Sequence, residues 1–420
     1  MAATRIVILG GGAGGLELAS ALSSRPELDV TLVDRVGAHI WKPRLHEFAA
    51  GTVTSTLSEI SFYMLAQMRG FRFEQGSVVG IDRAASEVRL AAPDLPGTVG
   101  SERRIGYDRC VVALGGITAD FGIPGVREHA IRLDAKLDAD AFRDRFVALL
   151  INARQTRVPA RVVIVGSGAT GTELAAHLRL AETAFFDRPE TTEQPRLLDL
   201  TLLEAAPEVM PGADAELRAG VVQRLAELGV TVVTSARITA VEPGAVRAAS
   251  GGHWPADLTV WAAGLVGLPV LSMLADFEMD RKGRIVVDAF LRSTVDPAVY
   301  ALGDAASLTP DGAAQPLPPT AQIASQQAAY LASSLADPVA AKPFRFKDKG
   351  KLVSLGGAGT VGLVGFHRND FFVDGQFAKA AYHALQRRHQ WQVLGPLRGS
   401  VAILADVISP TRGPALKLHG

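Results

Sequence analysis

Two stretches of the chain place glycines, acids and helix starts at spacings that suit phosphate-bearing ligands. Residues 6–22, IVILGGGAGGLELASAL, set Gly10, Gly12 and Gly15 between a β-branched strand run and a run of helical period. Residues 162–178, VVIVGSGATGTELAAHL, repeat the pattern with Gly166, Gly168 and Gly171. The first glycine permits a tight turn, the second lets the backbone approach a pyrophosphate, and the third lets the helix pack on its strand. The helix N-terminus, at Ala13–Gly14 and again at Ala169–Thr170, offers free N–H groups and the positive end of a dipole. Each copy leads to a second strand ending on an acid: Asp34, followed by Arg35, and Glu204. A carboxylate there accepts hydrogen bonds from a ribose. Glu204 is followed by Ala205 and Ala206, with no arginine for a 2′-phosphate, so a free 2′-hydroxyl is favoured at the second copy. A lone glycine motif recurs for purely structural reasons; two copies in strand–turn–helix context are hard to explain that way.

The elements that must position these residues are short buried strands: TRIVIL at 4–9, DVTLVD at 29–34 and LDLTLLE at 198–204. Before the last of these, ETAFFDRPETTEQPR reads as an extended helix and a surface loop. Three further strands end on chemistry-bearing residues. YDRCVVALGG runs into Gly115, ADLTVWAAG runs into Ala263-Gly264, and VYALGDAA runs into Gly303-Asp304. An acid at a strand's carboxyl end can hold a sugar-like chain by hydrogen bonds.

At 420 residues, with 48% hydrophobic and 20% charged residues, the chain is a globular protein of more than one domain. Its single cysteine, Cys110, excludes an intrachain disulfide, a redox cysteine pair and a thiolate metal cluster, and reads as a buried strand thiol. No metal-ligand spacing stands out among the nine histidines. Neither a signal peptide nor a membrane-spanning run is evident, so the chain is expected on the cytoplasmic side. The zero net charge conceals an asymmetry. From Lys342 onward there are twelve Lys and Arg against four Asp and no Glu, a surplus of eight that the acidic body balances. A basic tail suits an anionic surface. Around Ala381, Ala384 and Leu385 apolar residues recur at helical spacing, with Lys379, Arg387, Arg388 and Trp391 among them. SVAILADVI at 400–408 is apolar but too short to span a bilayer. This pattern suits a helix lying in a membrane surface, and an amphipathic helix packed on the body would read alike. Nucleic acid is disfavoured because few stacking aromatics accompany the basic residues.

With these residues in place, the chain resembles the two-dinucleotide flavoproteins of the pyridine nucleotide–disulfide oxidoreductase superfamily, and among them the type II NADH dehydrogenases. Three stretches carry the resemblance: WKPRLHEFAAGT at 41–52, GSGATGTELAAHL at 166–178 and PPTAQIASQQAAYLA at 318–332. It continues through KDKGKLVSLGGAGTVG, AYHALQRRHQWQVLG and the terminal LKLH. Ala328, where many relatives have glycine, and Arg387-Arg388 before His389, in place of a more apolar pair, depart from the pattern.

The resemblance implies an α/β fold with two Rossmann-like domains and a membrane-associating C-terminal region. The boundaries expected are a discontinuous FAD domain (1–135 and 289–340), an inserted NADH domain (136–288) and the C-terminal region (341–420). It implies non-covalent FAD at the first turn, near Lys42, Pro43 and Asp304, with NADH at the second. A hydride would pass from NADH to flavin N5, and two electrons and two protons to a membrane quinone, without proton pumping. Glu173 would lie near the nicotinamide–flavin contact and handle a proton; read from the residues alone, it also suits a solvated first-turn acid that helps the helix start. Gln322 and Gln326, four apart on one helix face, would hydrogen-bond the quinone; Gln327 reads as ordinary helix polarity. Lys379 is a weaker candidate for stabilising reduced quinone, and reads more readily as a basic surface residue. The enzyme would sit peripherally on the cytoplasmic face of a bacterial plasma membrane, and a homodimer is compatible with this. Two other readings compete. A sulfide:quinone oxidoreductase would need sulfur-carrying cysteines, and an NADH-binding redox sensor would use the same two nucleotide sites.

Overall fold

The computed structural model describes residues 3–53, 59–91, 101–185, 196–355, 359–366, 369–374, 384 and 387–408. Two parallel sheets dominate it. In the first, strands lie in the order Arg292–Ser293, Asp296–Ala301, Arg109–Val112, Thr4–Leu9, Leu28–Asp34, Arg72–Gln75. All neighbours pair in parallel except the first two, which form an antiparallel edge. In the second, the order is Ala130–Ile131, Leu258–Trp261, Ala160–Val165, Leu198–Leu203, Thr231–Val233, parallel throughout. Ile6, Val7, Ile8 and Leu9 are buried because layers cover both faces of the sheet, which is why the run reads as continuously apolar rather than alternating. Cys110 lies in the same sheet, fully buried, and burial pushes its thiol pKa up.

The registers of the two sheets correspond. Thr4 lies opposite Leu28 and Leu9 opposite Val33; Ala160 lies opposite Leu198 and Val165 opposite Leu203. The chain leaves the first sheet after Val112, builds the whole second sheet, and returns to the first at Arg292. The antiparallel pair Gly116–Thr118 and Leu265–Gly267 ties the departing strand of one sheet to that of the other. Helix Ala13–Leu22 packs on helix Ala321–Ser334 so closely that a Cβ on Gly14 would stand 3.1 Å from the Ala324 carbonyl oxygen. The helix expected to be extended runs Ala169–Phe185; the loop expected after it, 186–195, lies outside the described residues.

The basic tail forms a three-stranded antiparallel sheet, Gly350–Ser354, Thr360–Phe366 and Asn369–Asp374. A helical turn pair at 387–394 and helix Pro396–Ile408 follow. Phe377, Lys379, Ala381, Leu385 and the LKLH stretch lie outside the described residues. Among the described residues no helix is long and apolar enough to cross a membrane.

Candidate active site

Gly10 and Gly166 both adopt φ of 106°, a left-handed conformation open to glycine. A Cβ on Gly15 would stand 2.0 Å from the Gly10 carbonyl oxygen, and one on Gly171 1.9 Å from that of Gly166. Both third glycines are therefore needed for each helix to meet its strand. Over Gly12 and Gly168, by contrast, no atom of the described residues other than their immediate chain neighbours lies within 4 Å of where a Cβ would be. These are the positions where a bound pyrophosphate must come close, and helix Ala13–Leu22 begins at Gly12 with no side-chain cap on its free N–H groups.

The acids at the strand ends are anchored differently. Asp34 accepts from the Gly11 N–H at 2.7 Å and the Val36 N–H at 3.0 Å; burial raises its pKa against those bonds. The Arg35 side chain beyond it is exposed. Glu204 accepts from the Ser167 N–H (2.9 Å), the Ser167 hydroxyl (2.6 Å) and the Ala206 N–H (2.8 Å).

A cavity of about 740 Å³ lies where the two sheets' carboxyl ends face one another. It brings together Gly12, Ala13 and Gly14 with Gly168, Ala169 and Thr170, and adds Lys42, Pro43, Gly115, Glu173, Gly264, Gly303, Asp304, Gln322 and Gln326. Gly10, Gly15, Gly166 and Gly171 shape the turns behind it. Asp34, Arg35, Glu204 and Ala263 do not line it; Ala262 does. The Asp304 carboxylate has no protein hydrogen-bond donor among the described residues. Burial raises its pKa, with Lys42 and Arg284 opposing, so it waits for a hydroxyl donor. Lys42 also reaches the Gly116 carbonyl at 3.5 Å. Gln327, which reads in sequence as ordinary helix polarity, is buried and accepts from the Gly303 N–H at 2.7 Å, fixing the turn that carries Asp304.

Glu173 is buried, not a solvated first-turn acid. Its Oε1 accepts from the Ser354 N–H at 2.9 Å, and His46 Nδ1 lies 3.5 Å from Oε2. Burial pushes the Glu173 carboxyl up to about 8, against the Ser354 bond. Burial and the neighbouring His177 push His46 down to about 3. Near neutral pH the contact is thus a protonated acid beside a neutral imidazole, not an ion pair. His177 is held by Thr52 at 3.0 Å.

The two glutamines behave otherwise than their spacing suggests. Gln322 donates to the Gly350 carbonyl (3.1 Å) and accepts from the Lys349 N–H (2.9 Å) and from Gln326 (3.3 Å). Gln326 both donates to the Lys347 carbonyl (2.8 Å) and accepts from the Lys347 N–H (3.0 Å). They stand at the cavity, but most of their hydrogen-bonding capacity clamps residues 347–350 to the helix. Among the described residues, one amide hydrogen of Gln322 has no partner.

Sequence reasoning missed the cavity residues Glu17, Trp41, Arg44, His46, Ser325 and His389. Most are assembled from separated parts of the chain. Glu17 had a signal: it occupies in the first glycine helix the position of Glu173 in the second, two residues beyond the third glycine of each.

Two glycine turns facing one cavity, with an unpartnered acid between them, define a flavoprotein that binds two dinucleotides. Residues 4–328 match the family of pyridine nucleotide–disulphide oxidoreductases. A type II NADH:quinone oxidoreductase of Haemophilus influenzae is 34% identical, over 99% of both chains. The structure of NDH2 from Plasmodium falciparum in complex with NADH shares the fold, with a TM-score of 0.80 over 97% of this chain and 99% of that one, at 17% identity. So does the sulfide:quinone oxidoreductase of Aquifex aeolicus, with a TM-score of 0.76 over 97% and 96% at 18% identity, so the fold does not separate these activities. The chain belongs to the pyridine nucleotide–disulphide oxidoreductase family and, within it, to the type II NADH:quinone oxidoreductases. It works with FAD and NADH. The one cysteine, sealed in the first sheet, is in no position to carry sulfur.

Proposed function

We propose that both halves of the reaction, NADH oxidation and reduction of a membrane quinone, meet in this one cavity, without proton pumping. The observation that carries this reading is that a single space joins both glycine turns, Asp304 and the Gln322–Gln326 wall. FAD held here would supply the hydride acceptance from NADH and the two-electron donation to quinone that no side chain can provide. The residues fit it: the open backbone at Gly12, Ala13 and Gly14 suits its pyrophosphate, Asp34 and Arg35 its adenosine end, and Asp304 its ribityl hydroxyls. Lys42, Pro43 and Gly115 border the same space. Gly168, Ala169 and Thr170 receive the NADH pyrophosphate, with Glu204 at its ribose and Ala263-Gly264 at the strand end beyond. The pinned Glu204 carboxylate repels a 2′-phosphate, which selects NADH over NADPH. Glu173 holds a proton at the boundary between the two nucleotide halves. Gln322 and Gln326 set the backbone wall for the quinone head, and the free Gln322 N–H meets a quinone carbonyl.

The membrane contact is assigned to helix Pro396–Ile408. Leu397, Val401 and Leu404 fall on one face and are 78%, 61% and 58% exposed, with Trp391 half exposed beside them. Such a face suits a helix lying in the cytoplasmic lipid surface. One anaerobic experiment tests both parts. Adding NADH should bleach the flavin absorbance, and quinone should restore it, whether short-chain in water or embedded in vesicles. Val401→Asp with Leu404→Asp should keep the response to soluble quinone and lose at least tenfold in the rate with vesicle quinone. Bleaching without recovery would overturn the quinone reading and favour a redox sensor; equal rates in the variant would overturn the membrane assignment.

A further inference from the structure

We propose that Glu17 and His389 hold one transferable proton at the cavity wall and deliver it to the quinone as it is reduced. The inference rests on the quinone lying beside Gln322 and Gln326, as proposed above.

His39 Nδ1 lies 2.8 Å from the Gly11 carbonyl oxygen, which can only accept, so Nδ1 carries a hydrogen. His39 Nε2 lies 3.1 Å from His389 Nε2, and one of the two must donate. His389 Nδ1 lies 2.7 Å from Glu17 Oε1. Three contacts in series need three protons. Two neutral imidazoles and a carboxylate bring only two, so the satisfied chain holds one more. All three side chains are buried, so an unmade contact here would be costly. Burial and His389 press the His39 ring down to about 3, so the extra proton does not stay on His39. It resides on the Glu17–His389 pair, as carboxylic acid with neutral imidazole or as carboxylate with imidazolium. The Ser325 hydroxyl donates to Glu17 Oε2 at 2.6 Å, and the Trp41 ring lies 4.2 Å from that of His389, so both partners are fixed in place.

Glu17, Ser325, Trp41 and His389 line the cavity beside Gln322, Gln326, Lys349 and Arg388. Reduction of a quinone takes two electrons, which NADH supplies, and two protons. The pair loses one proton as an O–H bond forms on a quinone oxygen, leaving a carboxylate and a neutral imidazole. The second is the proton that NADH gives up with its electron pair as hydride, and one proton from water restores the pair, so each turnover takes up a single proton from water. Lys349 and Arg388 favour the negative charge that develops on the quinone oxygen before the proton arrives.

The test uses full-length, flavin-loaded enzyme and two acceptors. Glu17→Gln and His389→Asn should lower quinone reduction roughly tenfold or more. Ferricyanide takes electrons without protons, so its reduction by NADH should be little changed, a split that a merely structural role would not produce. Equal losses with both acceptors would overturn the proposal; wild-type enzyme inactive with quinone would instead sink the functional reading beneath it. Nitrogen NMR of ¹⁵N-histidine-labelled wild type provides a readout free of turnover, and decides alone if the variants lose flavin. His39 should be the neutral Nδ1–H form and His389 should carry hydrogen on Nε2. A His389 with hydrogen on Nδ1 and a bare Nε2 would leave no spare proton and overturn the proposal.

Discussion

The two glycine turns share a φ of 106° at their first glycine, and their third glycines close on the first to 2.0 and 1.9 Å. Each helix then buries a glutamate two residues further on, Glu17 in one copy and Glu173 in the other, and both reach the same cavity. There the likeness stops. Glu173 receives one backbone N–H from Ser354 and faces a neutral His46, whereas Glu17 receives the Ser325 hydroxyl and joins a histidine pair. The turn is repeated because the phosphate problem is the same in both copies. The surroundings of the acid diverge because each copy is covered by a different part of the tail.

Replacing the third glycines should break the pair most visibly. Gly15→Ala should empty the protein of flavin, because the methyl group collides with the Gly10 carbonyl; overpacking of this kind costs about 1–3 kcal/mol even where the chain can give. Gly171→Ala should keep its flavin but raise KM for NADH more than tenfold. Flavin-to-protein ratios and NADH titrations check this, and a yellow Gly15→Ala protein would show that the first turn does not hold FAD. A smaller effect is expected at the strand-end acids. Glu204→Ala with Ala205→Arg should shift the NADPH-to-NADH ratio of kcat/KM upward by about a hundredfold, about 2.7 kcal/mol, while changes at Asp34 leave that ratio alone. An unchanged ratio would place the 2′-hydroxyl elsewhere.

A further prediction concerns the pH dependence of stability that Glu173 imposes. The folded-state pKa of Glu173, about 8, lies above its ordinary 4.5. Between those values the folded protein keeps a proton that the unfolded chain has released, so stability falls as pH rises through that window and the loss is complete above it. Glu173→Gln should flatten this decline. The thermal midpoints of wild type and variant, compared at pH 5 and pH 8, measure it; parallel curves would mean that Glu173 is ionised when folded.

What the sequence discloses here follows from how local each constraint is. The glycine positions are legible because a turn and its helix lie within a dozen residues and only glycine fits them. Asp34, Glu204 and Asp304 are legible because each lies at or just beyond the carboxyl end of a strand. The environment of Glu173 is not, since its burial depends on Ser354 and His46 arriving from distant segments. Gln322 and Gln326 stand at the cavity as their motif implies, yet the backbone of 347–350 occupies most of their hydrogen bonds, which no periodicity reveals. Gln327, plain in sequence, proves to hold the Gly303 turn. The apolar run at 400–408 is legible in the sequence and falls within helix Pro396–Ile408, whereas Ala381 and Leu385, which carry the helical spacing read in the tail, lie outside the described residues.

The bond between Glu17 and His389 spans 372 residues. At ribosomal speeds of roughly 5–20 residues per second, Glu17 emerges about 20–75 s before the imidazole that completes its contact. The first glycine turn can form early, but this wall of the cavity cannot close until nearly the whole chain has been made. A ribosome that stalls short of residue 389 leaves a chain in which Glu17 lacks its histidine partner and this side of the cavity lacks its wall.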